Sequence, residues 1–185
     1  MGTALLMVDP QYDFIAGTLP VPGAAAAMDA LAQYVLVQNG AYALKIVTQD
    51  WHPWDHSSFV PSGGAWPRHC VANSVGAAIF EPLFQSIHRT GGDVVVLHKG
   101  CSPEEDEYSA FQSNGDVIDS LWRQYGIDTV HICGVAGDVC VLQTLQDGLK
   151  RNPGIHWEAL KAYAPSLDGG DKLDKFCQEA GLCSK

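Results

Sequence analysis

An α/β fold, with a mainly parallel sheet between two layers of helices, is predicted by three observations. Short apolar runs alternate along the chain with segments of helical period. The run DVVVLH carries three consecutive valines, whose branched side chains favour a strand. Each strand-like run also ends at a residue able to do chemistry: Asp9, Asp50, Lys99 or, past a sharp turn, Cys140.

The elements follow in order. Residues 3–8 form an apolar run of the kind that lies buried between neighbouring strands. Residues 23–40 are Ala-rich, with Met28, Leu31, Tyr34, Val35 and Gln38 at helical spacing and Asn39-Gly40 in C-cap positions. Residues 42–48 give a second strand, and a long irregular stretch follows. Glu81–Arg89 reads as a short helix and 93–98 as the clearest strand. A helix starts at Ser113-Asn114-Gly115, presents Val117, Ile118, Leu121, Trp122 and Tyr125 on one face, and stops at Gly126. Residues 129–133 form a strand, 134–137 a sharp turn, and 138–151 a helix with Val141, Leu142, Leu145 and Leu149 inward. Residues 155–160 give the last strong strand and 172–180 a final helix. This order implies a single-domain three-layer α/β/α sandwich over residues 1–185, with a mainly parallel, Rossmann-like central sheet. After residue 160 no further strand is recognisable, so the sheet edge is either shortened or completed by a neighbouring subunit. A homo-oligomer is one expectation from this.

Composition narrows the function. At 185 residues the chain is long enough for one domain with a sizeable core. Hydrophobic residues make up 46% and charged ones 17%, as in folded water-soluble domains. A formal net charge of −10 disfavours nucleic acid and anionic membrane as partners. The opening MGTALLMVD lacks the basic start of a signal peptide, and no apolar run approaches the roughly 18 residues that span a bilayer. A cytoplasmic location is expected. Six cysteines (Cys70, Cys101, Cys133, Cys140, Cys177 and Cys183) are scattered without regular spacing, so reduced thiols are expected rather than disulfides.

Ligand sites in parallel sheets lie beyond the carboxyl ends of the strands. There the sequence gathers a carboxylate (Asp9), an amine (Lys99) and a thiol (Cys140). Each has a bland reading, as a turn residue, a solvated loop charge or a small core side chain. Together they describe acyl transfer by a cysteine nucleophile with a carboxylate partner. A position in the first turn of a helix and an adjacent ammonium are both expected to lower the thiol pKa. The turn Gly134-Val135-Ala136-Gly137 offers backbone N–H groups beside it, as an oxyanion site requires. The stretch TQDWHPWDHSSF…WPRHC adds a second theme. Asp50-x-His52 places two side chains on one side of an extended chain, and His69 or His56 can reach the same place. A carboxylate with imidazoles suits one divalent metal ion, with zinc, iron and manganese all compatible. A closed thiol metal centre or a dithiol redox site is disfavoured, because the chain has no C-x-x-C.

Six blocks in order, LMVDPQYDF, TQDWHPWDHSSF, WPRHC, LHKG, EDEYSAF and ICGVAGDVCV, resemble the nicotinamidase/pyrazinamidase branch of the isochorismatase-like hydrolases. The resemblance implies a catalytic triad of Asp9, Lys99 and Cys140 and a divalent metal, most often zinc, on Asp50, His52 and His69. It leaves His56 open, since that place is a ligand in some members only. It implies that Phe14 and Trp66 sandwich a pyridine ring, with Tyr108 at the pocket wall. It further implies a cis peptide at Val135-Ala136 and an oxyanion hole made by the N–H groups of Ala136 and Cys140. The implied reaction is hydrolysis of nicotinamide to nicotinate and ammonia through a cysteine thioester, in NAD salvage, with pyrazinamide accepted as an analogue. The alternative is a related amidohydrolase acting on another small carboxamide. Gly137 stands where Thr or Ser is common in that branch and is expected to loosen the turn.

Overall fold

The computed structural model describes residues 1–182; Cys183 lies outside the described residues. Five strands, β1 (Gly2–Val8), β2 (Leu44–Asp50), β3 (Asp93–Lys99), β4 (Ile127–Gly134) and β5 (His156–Ala159), form one sheet in the order β3-β2-β1-β4-β5. Every pairing is parallel. The helices are α1 (Tyr12–Ile15), α2 (Ala24–Val37), α3 (Glu81–Arg89), α4 (Phe111–Tyr125), α5 (Leu142–Arg151) and α6 (Asp171–Glu179).

Strand side chains alternate between the faces of the sheet, and β1 shows how this builds three layers. Ala4, Leu6 and Val8 join one core cluster with Ile118 and Trp122 of α4, Leu145 of α5 and Leu173 of α6. Leu5 and Met7 join the opposite cluster with Phe14, with Met28 and Leu31 of α2, and with Leu83 and Ile87 of α3. The sandwich expected from strand–helix alternation is therefore present. No helix of the described residues is long and apolar enough to cross a membrane.

Of the boundaries that differ from the sequence reading, three have a clear physical reason. Strand β2 runs from Leu44 to Asp50 rather than over 42–48, because its register pairs Leu44 with Ala4 at one end and Asp50 with Lys99 at the other. Helix α4 begins at Phe111, not at Ser113, because preceding side chains already satisfy its first N–H groups. The Phe111 N–H donates to Ser109 Oγ and the Ser113 N–H to Glu107 Oε1. The helix expected over 138–151 begins as a π-type turn (Gly137–Val141), with the Val141 N–H donating to the Ala136 carbonyl, and becomes α-helical only at Leu142.

The strand order reverses around β1, so the carboxyl ends of β1 and β4 open a crevice there. Among the described residues no strand follows β5.

Candidate active site and metal centre

Lys99 links the side chains gathered at the strand ends. It closes β3, is 1% exposed, and pairs in register with Asp50 at the end of β2, so both side chains leave one face of the sheet. Its Nζ lies 2.5 Å from Asp50 Oδ1, 2.9 Å from Asp9 Oδ2 and 3.7 Å from Cys140 Sγ, and it donates to the Glu107 carbonyl at 3.2 Å. One ammonium thus touches both themes of the sequence: the carboxylate–thiol pair and the histidine-bearing stretch.

Asp9 directly follows β1 with φ of 48°, a left-handed conformation uncommon for a non-glycine residue. Its N–H donates to the Thr48 carbonyl at 3.1 Å, and Thr48 Oγ1 donates to Asp9 Oδ1 at 2.6 Å. Oδ2 takes part in no hydrogen bond and meets Lys99 as an ion pair. Burial raises the Asp9 carboxyl to about 6, with Lys99 opposing and Asp50 reinforcing. Burial acts on Asp50 in the same direction, but Lys99 and His52 outweigh it and hold that carboxyl well below the usual range. Lys99 remains an ammonium: burial works against its charge, and the two carboxylates hold its pKa well above normal.

Cys140, 6% exposed, sits in the π-type turn before α5. Here the expectation of a lowered thiol pKa is corrected. Burial pushes it well up, and the adjacent Lys99 offsets this only in part, because Asp9 and Asp50 add negative charge nearby. The resting pair is a thiol beside a carboxylate with a raised pKa, which suits proton transfer between them. The Val135-Ala136 peptide is cis, as the resemblance implied.

Gly137 does not loosen this turn, contrary to expectation. A Cβ there would lie 2.3 Å from the Ala164 carbonyl oxygen and 2.3 Å from Ser166 Oγ. The Gly137 N–H donates to the Pro165 carbonyl at 2.8 Å, and Asp138 Oδ1 accepts from the Leu167 N–H at 2.8 Å. The segment following β5 is therefore packed onto the nucleophile's turn and brings Leu167 to the cavity wall.

Asp50, His52 and His69 offer ligand atoms that all lie within 4.8 Å of one another, with His52 Nε2 3.6 Å from Asp50 Oδ2. His52 Nδ1 lies 2.9 Å from the Gly100 carbonyl and His69 Nδ1 2.8 Å from the Pro67 carbonyl. A carbonyl oxygen only accepts, so both Nδ1 atoms carry a proton, and in the neutral imidazoles each Nε2 is the atom left to bind an ion. That donor set, with its orienting hydrogen bonds, fits a divalent metal ion. His56 stands apart. Its Nε2 donates to the Glu105 carbonyl at 3.2 Å, and its Nδ1 accepts from Ser58 Oγ at 2.7 Å and from the Ser58 N–H at 3.2 Å. Both ring nitrogens are engaged.

Cys140 and the three residues of the metal triad face one cavity, while the side chains of Asp9 and Lys99 are fully buried. Phe14, Trp66, Tyr108, Ala136 and Cys140 all line it, and the Trp66 indole N–H donates to the Tyr108 hydroxyl at 3.3 Å. Sequence reasoning missed the supporting residues. Gln11 holds both backbone groups of Asp50: its Nε2 donates to the Asp50 carbonyl and its Oε1 accepts from the Asp50 N–H, each at 2.8 Å. Asp13 Oδ2 accepts from the Cys70 N–H at 2.7 Å, fixing the residue after His69. Two positions beyond Asp9, a buried Gln beside a strand end was the one available signal for the first of these.

Known proteins are similar along most of the chain. The nicotinamidase of Escherichia coli (strain K12) is 35% identical over 167 residues, covering 80% of this chain and 76% of the relative. The nicotinamidase/pyrazinamidase of Mycobacterium tuberculosis is 36% identical over 154 residues, covering 80% and 78%. Among solved structures, the pyrazinamidase of Pyrococcus horikoshii in complex with zinc superposes with a TM-score of 0.82 at 31% identity, covering 98% of this chain and 96% of that one. PnC1 from L. infantum in complex with nicotinate gives 0.84 at 31% identity, covering 98% and 90%. The isochorismatase domain family model matches residues 3–156, a span that takes in all four strand ends of the crevice, and the chain belongs to that family.

Proposed function

We propose that the protein is a metal-dependent nicotinamidase, hydrolysing nicotinamide to nicotinate and ammonia through a thioester on Cys140. The observation that carries this reading is the position of Lys99, in contact with Asp9 and Cys140 on one side and with Asp50 of the metal triad on the other. The relatives at 35–36% identity support the choice of substrate, and the zinc and nicotinate complexes of the structural neighbours support zinc and a pyridine carboxyl ligand. Pyrazinamide, which keeps the ring and the carboxamide, is accepted as an analogue. A role in NAD salvage, a cytoplasmic location and action of residues 1–185 as one unit belong to the same proposal. Among the described residues, Cys70, Cys101, Cys133 and Cys140 are free thiols.

The chain's residues divide the work as follows. Phe14 and Trp66 hold the pyridine ring, and Tyr108 braces the Trp66 indole. Asp50, His52 and His69 would hold zinc, which would supply Lewis-acid chemistry toward the bound amide. The Asp9 carboxylate takes the proton from Cys140 Sγ, while Lys99 stabilises the negative charge that moves between them. The thiolate attacks the carboxamide carbon, and the N–H groups of Ala136 and Cys140 receive the oxyanion. Collapse breaks the C–N bond as Asp9 returns its proton to the leaving nitrogen, releasing ammonia. Asp9, again a carboxylate, deprotonates a water that attacks the thioester. The second collapse breaks the C–S bond, the sulfur recovers the proton from Asp9, and the acid leaves, giving its remaining proton to solvent to become nicotinate.

Ammonia release from nicotinamide, pyrazinamide and aliphatic amides, before and after chelation and zinc return, tests this. Turnover of the two aromatic amides, lost with the metal and restored with it, is expected. Turnover confined to aliphatic amides would overturn the substrate assignment.

A further inference from the structure

We infer that Glu107 is a positioning residue that sets both the metal ligand His52 and the ammonium Lys99, resting for the latter on the proposed function above. Three of its atoms are engaged at once. Oε2 accepts from the Gly100 N–H at 2.8 Å, Oε1 accepts from the Ser113 N–H at 2.7 Å, and its carbonyl oxygen accepts from Lys99 Nζ at 3.2 Å. The carboxylate therefore ties the residue just past β3 to the first turn of α4.

Gly100 is the joint through which this reaches the metal triad. Its N–H is held by Glu107 while its carbonyl accepts from His52 Nδ1 at 2.9 Å. Held at its N–H, the residue aims its carbonyl at the imidazole, and the imidazole in turn keeps Nε2 toward Asp50 and His69. The fit is close: Gly100 has φ of +64°, and a Cβ on it would lie 2.5 Å from His52 Cε1. Nothing larger than glycine lets the backbone approach the ring in this way.

The segment bearing Glu107 is anchored from the far side as well. The Ser57 N–H donates to the Pro103 carbonyl at 2.8 Å, and His56 Nε2 donates to the Glu105 carbonyl. This gives His56 a place: it fastens the segment that carries Glu107 to the histidine-bearing stretch. The carboxylate, with two oxygens for two N–H donors, is matched to its task. A glutamine would offer one oxygen and turn an NH₂ toward the other donor, leaving that donor unsatisfied.

The test uses the zinc-loaded full chain with Glu107→Gln and Glu107→Asp. Zinc affinity is read by competition with a chromophoric chelator, and kcat and KM by ammonia release. Loss of an outer hydrogen bond to a ligating histidine lowers metal affinity about 10–100-fold. E107Q is expected to weaken zinc binding by at least tenfold and to lower kcat at least tenfold with a smaller change in KM. E107D, which keeps the charge and both acceptor oxygens, is expected to lose less of each. Zinc affinity and kcat within twofold of wild type in E107Q would overturn the inference. So would a lowered Tm with both quantities unchanged, since that is the mark of a helix cap alone. Zinc affinity decides the inference even if the wild-type chain releases no ammonia from nicotinamide, an outcome that would overturn the functional reading instead.

Discussion

Replacing Lys99 with methionine removes one buried cation from between two buried carboxylates. Asp9 and Lys99 have fully buried side chains and that of Asp50 is 6% exposed, so water does little to compensate. Breaking a buried ion pair from one side destabilises by about 3–5 kcal/mol, a large share of the 5–15 kcal/mol of a typical domain. The pH dependence follows from the directions of the shifts. In the wild type Lys99 lowers both carboxyls; without it, burial is opposed only by Thr48 at Asp9 and by His52 at Asp50, and both rise. A carboxyl whose folded pKa is raised contributes stability below its unfolded value of roughly 3.9, and loses it as pH rises through the folded value. The deficit of Lys99→Met is therefore larger at pH 8 than at pH 5, and it shrinks as pH falls through the variant's raised carboxyl values, that of Asp9 lying above the wild-type value of about 6. Urea unfolding of both metal-free proteins at pH 5 and pH 8 measures it. A deficit under about 1 kcal/mol at pH 8, or an equal deficit at both pH values, would refute the reasoning.

Asp9 must be a carboxylate to accept the Cys140 proton, so kcat/KM rises with pH through about 6, and Asp9→Asn removes that limb while lowering kcat/KM by about 10²–10⁴-fold. A pH–rate profile of both proteins checks this. Gly137→Ser forces a Cβ against the Ala164 carbonyl and is expected to destabilise by about 1–3 kcal/mol in urea unfolding. His56→Ala is expected to keep one equivalent of zinc by metal analysis, since both of its ring nitrogens are engaged by Ser58 and Glu105.

The strand ends were legible because apolar runs have sharp limits: these fell next to Asp9, Lys99 and the turn before Cys140, and at Thr48, two residues short of Asp50. Convergence of these residues follows from the parallel sheet alone. Three features were not legible. The ion pair of Lys99 with Asp50 depends on the β2–β3 register, which no local pattern encodes. The fit of Gly137 depends on Ala164 and Ser166, some thirty residues away and beyond the last recognisable strand. The direction of the Cys140 shift depends on burial outweighing a charge and a helix end, a balance that the residue types leave open. Supporting residues such as Gln11 and Glu107 escaped for a related reason: their roles consist of hydrogen bonds to backbone distant in sequence.

Rapid quenching of the zinc-loaded protein during turnover of nicotinamide, followed by mass analysis of its peptides, tests the central claim most directly. The account predicts a nicotinoyl group on the peptide containing Cys140, absent in Cys140→Ala, which also releases no ammonia above background. Ammonia release by Cys140→Ala at the wild-type rate, or a nicotinoyl group on another residue, would contradict it.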